Sequence, residues 1–124
     1  IMNTKVINIQ ALAFLGDAIF SLYIRKSLLE MGINKADLLQ KKAVKYVSAK
    51  GEVRIFQELK DKNILTKEEI ELVRRGRNNK KLSHPKNTDI VTYKLSTGFE
   101  ALLGNLYLHD KKRLQEILEK IEVQ

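Results

Sequence analysis

Cysteine is absent from the 124 residues of this chain. Its absence excludes disulfide frameworks, thiolate nucleophiles, iron–sulfur clusters and cysteine-based zinc sites, and is typical of proteins in a reducing cytoplasm. No apolar run approaches the roughly 20 residues that span a bilayer, and the N-terminus lacks the basic-then-apolar layout of a secretory signal. We therefore expect a soluble, cytoplasmic protein with no membrane partner.

Residues that interrupt helices are also scarce. The chain has a single proline, Pro85, and six glycines, and most segments place apolar residues at three- and four-residue spacing. This pattern predicts an all-α fold, formed as one domain over residues 1–124 that can bury a core without a structural metal. Gly32 is expected to end the first helix, and Thr66 with Glu69 forms a capping box for the fourth. The six predicted helices cover about residues 9–31, 35–48 (capped by Asn34), 52–60, 67–75, 89–108 and 111–121, with a loop over residues 76–88.

Positive charge is what the chain has in excess. Its 23 Lys and Arg residues against 15 Asp and Glu residues give a formal net charge of +8, which favours a polyanionic partner because clustered cations release counterions from a phosphate backbone. One acid-free segment without aromatic residues suits phosphate contacts on duplex RNA better than stacking on unpaired bases. The alternative is a solvated charge run in a flexible loop. The RNA-binding candidates in this segment are Arg74, Arg75, Arg77, Lys80, Lys81 and Lys86.

Two carboxylates stand out because they lie on predicted helices that are otherwise apolar. Asp17 is the only charge in residues 11–20, and Glu100 borders the apolar stripe of the fifth helix. A poorly solvated carboxylate needs a partner or a metal. Two such groups in one cleft would suit Mg²⁺, with Mn²⁺ as a substitute, because their oxygens are hard ligands. The alternative is that both acids are capped, salt-bridged or solvated.

The same helices predict close packing and self-association. Gly16, Gly98 and Gly104 disfavour a helix by about 1 kcal/mol each relative to alanine, so they indicate backbones or a ligand approaching closely. The segment around Asp17 is apolar almost all the way round, more than the few other helices can cover. We therefore expect a homodimer whose interface includes residues 14–20, with Phe14 or Phe20 reaching the partner.

Other residues that could suggest chemistry are given structural roles. Ser83, His84 and Asp89 have the residue types of a catalytic triad, but adjacent serine and histidine in a loop share no fixed geometry. The four tyrosines are expected to be core or interface residues with solvated hydroxyls, outside the mechanism.

Several segments resemble a known family. Residues 14–18, Phe-Leu-Gly-Asp-Ala, resemble the central motif of ribonuclease III catalytic domains, and residues 99–104, Phe-Glu-Ala-Leu-Leu-Gly, resemble their second motif. Residues 74–78 and 85–89, together with Tyr93, are similar to the Mini-III branch of that family. The resemblance covers nearly the whole chain.

The resemblance implies an all-helical, homodimeric endonuclease without the double-stranded RNA-binding domain of its larger relatives. It implies Asp17 and Glu100 as catalytic, metal-binding residues and duplex RNA, in precursor large-subunit ribosomal RNA, as the substrate. An Mg²⁺-activated water would hydrolyse the phosphodiester. The products would carry 5′-phosphate and 3′-hydroxyl ends.

The chain also departs from the family pattern. Where larger ribonuclease III enzymes carry three further carboxylates, this chain has Gln10, Ala13 and Thr97. With fewer hard ligands, one well-held Mg²⁺ is favoured over two. The missing carboxylates also leave open an alternative, a non-catalytic RNA-binding or ribosome-assembly module with the same fold.

Overall fold

Six α-helices make up the secondary structure in the computed structural model, which describes residues 8–78 and 89–124. No strand is present in these two ranges, so the predicted all-α fold is confirmed. None of the described helices is long and apolar enough to cross a membrane. The helices are α1 (Ile9–Glu30), α2 (Ala36–Val47), α3 (Ala49–Asp61), α4 (Lys67–Arg77), α5 (Ile90–His109) and α6 (Lys111–Glu119).

Side-chain caps fix where five of these helices begin, because a polar side chain satisfies a backbone N–H that has no partner in the first turn. The predicted capping box of α4 is present, with Thr66 and Glu69 each accepting the other's backbone N–H. The predicted Asn34 cap is wrong, since α2 begins after Lys35, whose side chain makes no capping bond. The remaining caps are Asn8 for α1, Ser48 for α3, Asp89 for α5 and Asp110 for α6.

The start of α3 and the end of α4 differ from the prediction. Helix α3 begins at Ala49, three residues early, because the Ser48 hydroxyl accepts the Gly51 N–H at 3.1 Å. Helix α4 continues through Gly76 to Arg77, so both residues are helical and not in a loop. A side chain at Gly76 would collide with the backbone of Gly98, and this contact extends α4 along α5. The part of the predicted loop from residue 79 to residue 88 lies outside the described residues.

Helix α5 forms the centre of the molecule, with α1, α3, α4 and α6 packed against it. Phe99 of α5 is fully buried, and its ring meets that of Phe20 edge-on, with 5.7 Å between centroids. Truncating a buried phenylalanine typically reduces stability by about 3–5 kcal/mol. The expectation that Phe20 reaches a partner subunit is therefore wrong, because Phe20 is 0% exposed. Phe14, in contrast, is 85% exposed.

The three glycines singled out in the sequence lie where helices touch backbone to backbone, as predicted. A methyl group at Gly16 would collide with the Glu100 carbonyl, and one at Gly104 with the Leu12 carbonyl. On the next face of α5, a methyl at Gly98 would collide with the backbone of Val73. These contacts bring α1 and α4 close to α5, and the α1 contact determines the position of Glu100.

Arg113 joins the last helix to the start of α4. Its guanidinium donates to both carboxylate oxygens of Glu69 at 2.8 Å and to the Ile64 carbonyl at 2.6 Å. Burial opposes ionisation of Glu69, but hydrogen bonds from Arg113 and Thr66 outweigh it and lower the pKa of this carboxyl. The Arg113–Glu69 pair is therefore structural, and it lies at the N-terminal end of α4, opposite the end that carries Arg77.

Candidate active site

Asp17 and Glu100 come together where α1 crosses α5. Gly16 lets the α1 backbone touch that of Glu100, so the carboxylate following Gly16 lies beside the Glu100 side chain. Carboxylate oxygens of the two residues are within 4.8 Å of one another. The structure thus places in one cleft the two acids that the sequence singled out, although Asp17 is exposed and the expectation that it is poorly solvated is wrong.

A third carboxylate, Glu52 of α3, completes the cluster, and sequence reasoning missed it. One oxygen each from Asp17, Glu52 and Glu100 lies within 4.8 Å of the others. Glu52 is 2% exposed, which is exceptional for a glutamate without a basic partner. The position shares the apolar face of α3 with Ile55 and Phe56. The sequence signal that could have identified Glu52 as a site residue was its charge on an otherwise apolar helix face.

The start of α3 holds Glu52 against the other two acids. The Glu52 backbone N–H donates to the Ser48 carbonyl at 2.9 Å. Gly51 packs so tightly on the carbonyls of Lys45 and Tyr46 that any side chain there would collide with them. The first turn of α3 is therefore fixed against the end of α2. Its partial positive charge also favours a carboxylate at this position.

The crowding of three acids changes their ionisation. Burial raises the pKa of the Glu52 carboxyl, and the nearby charges of Glu100 and Asp17 raise it further. Burial also raises the pKa of Glu100, with the adjacent Asp17 carboxylate adding to the shift. Without a cation, protonation of these carboxyls relieves the repulsion between their charges. A divalent cation would replace them.

The residues present fit a hard divalent metal ion. All three candidate ligands are carboxylates, the class of donor that Mg²⁺ and Mn²⁺ prefer. In addition, the Oε2 atom of Glu52 is buried and has no hydrogen-bond partner in the described structure. A buried carboxylate oxygen of this kind is costly unless something compensates it. Together these features fit a metal at this position, with Glu52 as a ligand in addition to the two predicted.

The cleft beside the carboxylates has a neutral wall. It is lined by residues of α1 and α5, and three of them occupy the positions where the sequence lacks the family's further acids. Tyr93, which the sequence analysis kept outside the mechanism, lines this cleft as well. The lining residues are Gln10, Ala13, Phe14, Asp17, Tyr93, Thr97 and Glu100.

Of the six RNA-binding candidates, three fall on the last turns of α4. Arg74 pairs with Glu71 at 3.0 Å on an exposed surface, where such a pair contributes little and is easily exchanged. Arg75 and Arg77 are also exposed. This end of α4 packs on α5 through Gly76, one helix face away from the cleft. Lys80, Lys81 and Lys86 lie outside the described residues.

Comparison with known proteins identifies the family to which this fold belongs. Residues 10–111 match the family model for the ribonuclease III domain. The chain is 44% identical to a Mini-ribonuclease 3 of Streptococcus pneumoniae, over 98% of this chain and 90% of that protein. It is 37% identical to a Mini-ribonuclease 3 of Staphylococcus aureus, over 96% and 90%. A crystal structure of a Fusobacterium nucleatum protein superposes with a TM-score of 0.77 at 32% identity, covering 94% of this chain and 92% of that one.

An all-helical fold, a cluster of carboxylates and a match over most of the chain together define an endoribonuclease of the ribonuclease III class. The chain belongs to the ribonuclease III family, and its curated relatives place it in the Mini-ribonuclease 3 branch. That family generally depends on divalent metal and acts on double-stranded RNA. Membership favours the enzyme over the alternative of a non-catalytic RNA-binding module.

Proposed function

We propose that this chain, acting as one catalytic domain over residues 1–124, cleaves double-stranded RNA with Mg²⁺ held by Asp17, Glu52 and Glu100. The observation that carries the proposal is the convergence of these three carboxylates, from three helices, around a buried oxygen without a hydrogen-bond partner. Mn²⁺, with the same preference for oxygen ligands, is the expected substitute. The three acids suit one metal site, and the neutral Gln10, Ala13 and Thr97 provide no carboxylate for a second.

The roles of the protein groups follow from their positions. Bound Mg²⁺ would supply a nucleophilic water at neutral pH and neutralise charge on the phosphate and the leaving oxygen. Asp17 and Glu100 hold their carboxylates at the floor of a cleft open to solvent, where an RNA backbone has access. Glu52 lies behind them, shielded from water. Hydrolysis would leave 5′-phosphate and 3′-hydroxyl ends, as the family resemblance implies.

The exposed arginines supply the attraction for duplex RNA in this proposal. Arg74, Arg75 and Arg77 lie on the last turns of α4, which packs on α5 through Gly76, and there they would contact phosphates without reading sequence. Lys80, Lys81 and Lys86 follow in the chain and would extend the same basic segment. Precursor large-subunit ribosomal RNA in the cytoplasm is the substrate that the Mini-III resemblance suggests.

Self-association is part of the proposal because one face of α1 is apolar and exposed. Phe14, Leu22 and Leu29 are 85%, 68% and 56% exposed, and their spacing places them on the same side of the helix. Phe14 also lines the cleft, so a partner seated on this face would adjoin the carboxylates. A two-fold dimer would present two sites to the opposed strands of a duplex.

The decisive experiment is cleavage of a long RNA duplex with Mg²⁺ and with excess chelator, followed on a gel. We expect cleavage only with metal, and we expect Asp17→Asn and Glu100→Gln to abolish it while RNA binding and helical content stay near wild type. Glu71→Gln, on the exposed face of α4, is the matched control and should cut normally. Cleavage by Asp17→Asn at the wild-type rate would mean that Asp17 is structural and that the mechanism is wrong.

A further inference from the structure

The neutral wall of the cleft has the features of a binding site for the RNA backbone. Gln10 and Tyr93 face the space in front of Asp17 and Glu100, one from α1 and the other from α5. Within residues 8–78 and 89–124 neither side chain takes part in a hydrogen bond, so the Gln10 amide and the Tyr93 hydroxyl remain available as donors.

Thr97 lies between Tyr93 and Glu100 along α5 and also lines the cleft, but it offers the cleft a different group. Its hydroxyl proton is donated to the Tyr93 carbonyl at 3.0 Å, so only its oxygen lone pairs face the cleft. A phosphate oxygen needs a donor, which Thr97 in this conformation does not supply. Gln10 and Tyr93 therefore are the neutral wall residues suited to a phosphate.

The backbone around both residues is fixed, and at Gln10 it also favours an anion. Gln10 lies in the first turn of α1, capped by Asn8, and Tyr93 directly follows the first turn of α5, where its N–H donates to the Asp89 carbonyl at 3.0 Å. The first turn of α1 contains no acidic residue, whereas the Asp89 carboxylate accepts the Thr92 N–H at the start of α5 and offsets the positive end of that helix. Helix N-termini carry partial positive charge, which favours a phosphate group nearby.

We propose that Gln10 and Tyr93 form a neutral subsite that binds a backbone phosphate of the RNA beside the carboxylate cluster. This inference rests on the proposed function and deepens it by dividing the cleft in two. The carboxylate floor serves the metal, and the wall binds RNA through hydrogen bonds and not through a second metal ion. The two residues are positioning residues, because they orient the phosphate without exchanging a proton with it.

The test measures binding of a short RNA duplex by fluorescence anisotropy, in an Asp17→Asn background that does not cut. Losing a hydrogen bond to a charged phosphate should weaken binding about 10-fold or more, so Gln10→Ala and Tyr93→Phe should each do so. Gln10→Glu should weaken binding further by adding a negative charge. Gln57→Ala, at an exposed position of α3 that is not among the residues lining the cleft, is the control and should bind as before.

The same substitutions are then made in the active protein, and cleavage is measured against Mg²⁺ concentration. The Mg²⁺ concentration for half-maximal cleavage should stay within about twofold of wild type, while the KM for RNA rises. Unchanged binding in all three variants overturns the inference. So does Mg²⁺-dependent tighter binding by Gln10→Glu, since that would make the wall part of a metal site.

Failure of this inference and failure of the proposed function are distinguishable. If the wild type cuts RNA and the wall variants bind and cut equally well, the subsite is wrong and the nuclease stands. If the wild type does not cut with Mg²⁺ but the wall variants lose RNA affinity, the subsite stands and the proposed chemistry is wrong.

Discussion

Glu52 and Glu100, on different helices, each bring a carboxylate oxygen within 4.8 Å of the other beneath the cleft. Glu52 is almost completely buried, and no basic side chain pairs with it in the described structure. Two buried acids at this separation repel whenever both are ionised. The arrangement therefore makes the stability of the protein depend on protons and on divalent metal.

Replacing Glu52 by glutamine should raise the stability of the metal-free protein and lower its cleavage activity. Glu52→Gln removes a buried acid from beside two others, so the metal-free protein should gain about 1 kcal/mol or more in the free energy of unfolding. Cleavage at limiting Mg²⁺ should fall at least about 10-fold, because a ligand is lost. Denaturant unfolding and cleavage rates check the two effects. Glu58→Gln, at an exposed position of the same helix, is the control and should change neither the stability nor the cleavage rate. A Glu52→Gln variant that is destabilised but fully active would contradict the role of Glu52 as a metal ligand.

The metal-free protein should lose stability as pH rises. Burial and neighbouring acids raise the pKa of Glu52 and move that of Glu100 from 4.5 to about 8. Between these values the folded state holds more protons than the unfolded state, so the free energy of unfolding decreases with pH by up to about 1.4 kcal/mol per unit for each excess proton.

Mg²⁺ should reduce this loss, because metal binding takes the place of the protons. Unfolding by denaturant with chelator and with Mg²⁺ measures the effect at several pH values between 5 and 8, the range between the ordinary and the raised pKa of Glu100. Stability that rises with pH in chelator would show that the acids are compensated in another way.

Removing the three α4 arginines should weaken RNA binding without altering the core. Replacing Arg74, Arg75 and Arg77 by alanine should flatten the salt dependence, since each lost phosphate contact removes about one unit of slope. The control carries the same charge change on α6 and its C-terminal cap; Arg113 of this helix contacts Glu69, near the opposite end of α4. Equal losses in both triple variants would indicate a diffuse charge effect and no defined surface. The control substitutions are alanines at Lys111, Lys112 and Lys120.

A charge at the exposed Phe14 should prevent self-association. Phe20 is buried, so a substitution there would disturb the core and would not test the dimer. Phe14→Lys places a charge on the exposed α1 face and should give a folded monomer that no longer makes double-strand cuts. Val44→Lys, at an exposed apolar position of α2, is the matched control and should remain dimeric. Light scattering measures the oligomeric state of each variant, and the duplex assay measures its double-strand cleavage. A wild-type monomer that cuts both strands would exclude the dimer proposal.

The two predicted site residues and the missed one show what sequence patterns can reveal. Asp17 and Glu100 are visible because a lone carboxylate on an apolar helix has no obvious solvation. Glu52 carries the same signal, next to Ile55 and Phe56, but a glutamate near the start of a helix also fits an ordinary favourable position. Only the packing of α3 against α5 shows that Glu52 is buried.

The sequence alone determined the helices, because apolar spacing and side-chain caps act within a few residues of one another. It also indicated close backbone contacts at Gly16, Gly98 and Gly104, since glycine is otherwise unfavourable inside a helix. Which helices meet at those contacts was decided by the tertiary structure. The packing of whole helix faces decides that Asp17, Glu52 and Glu100 converge, that Phe20 is buried and that Phe14 is exposed. Local periodicity shows which face of a helix is apolar, but it does not specify which other helix packs against that face.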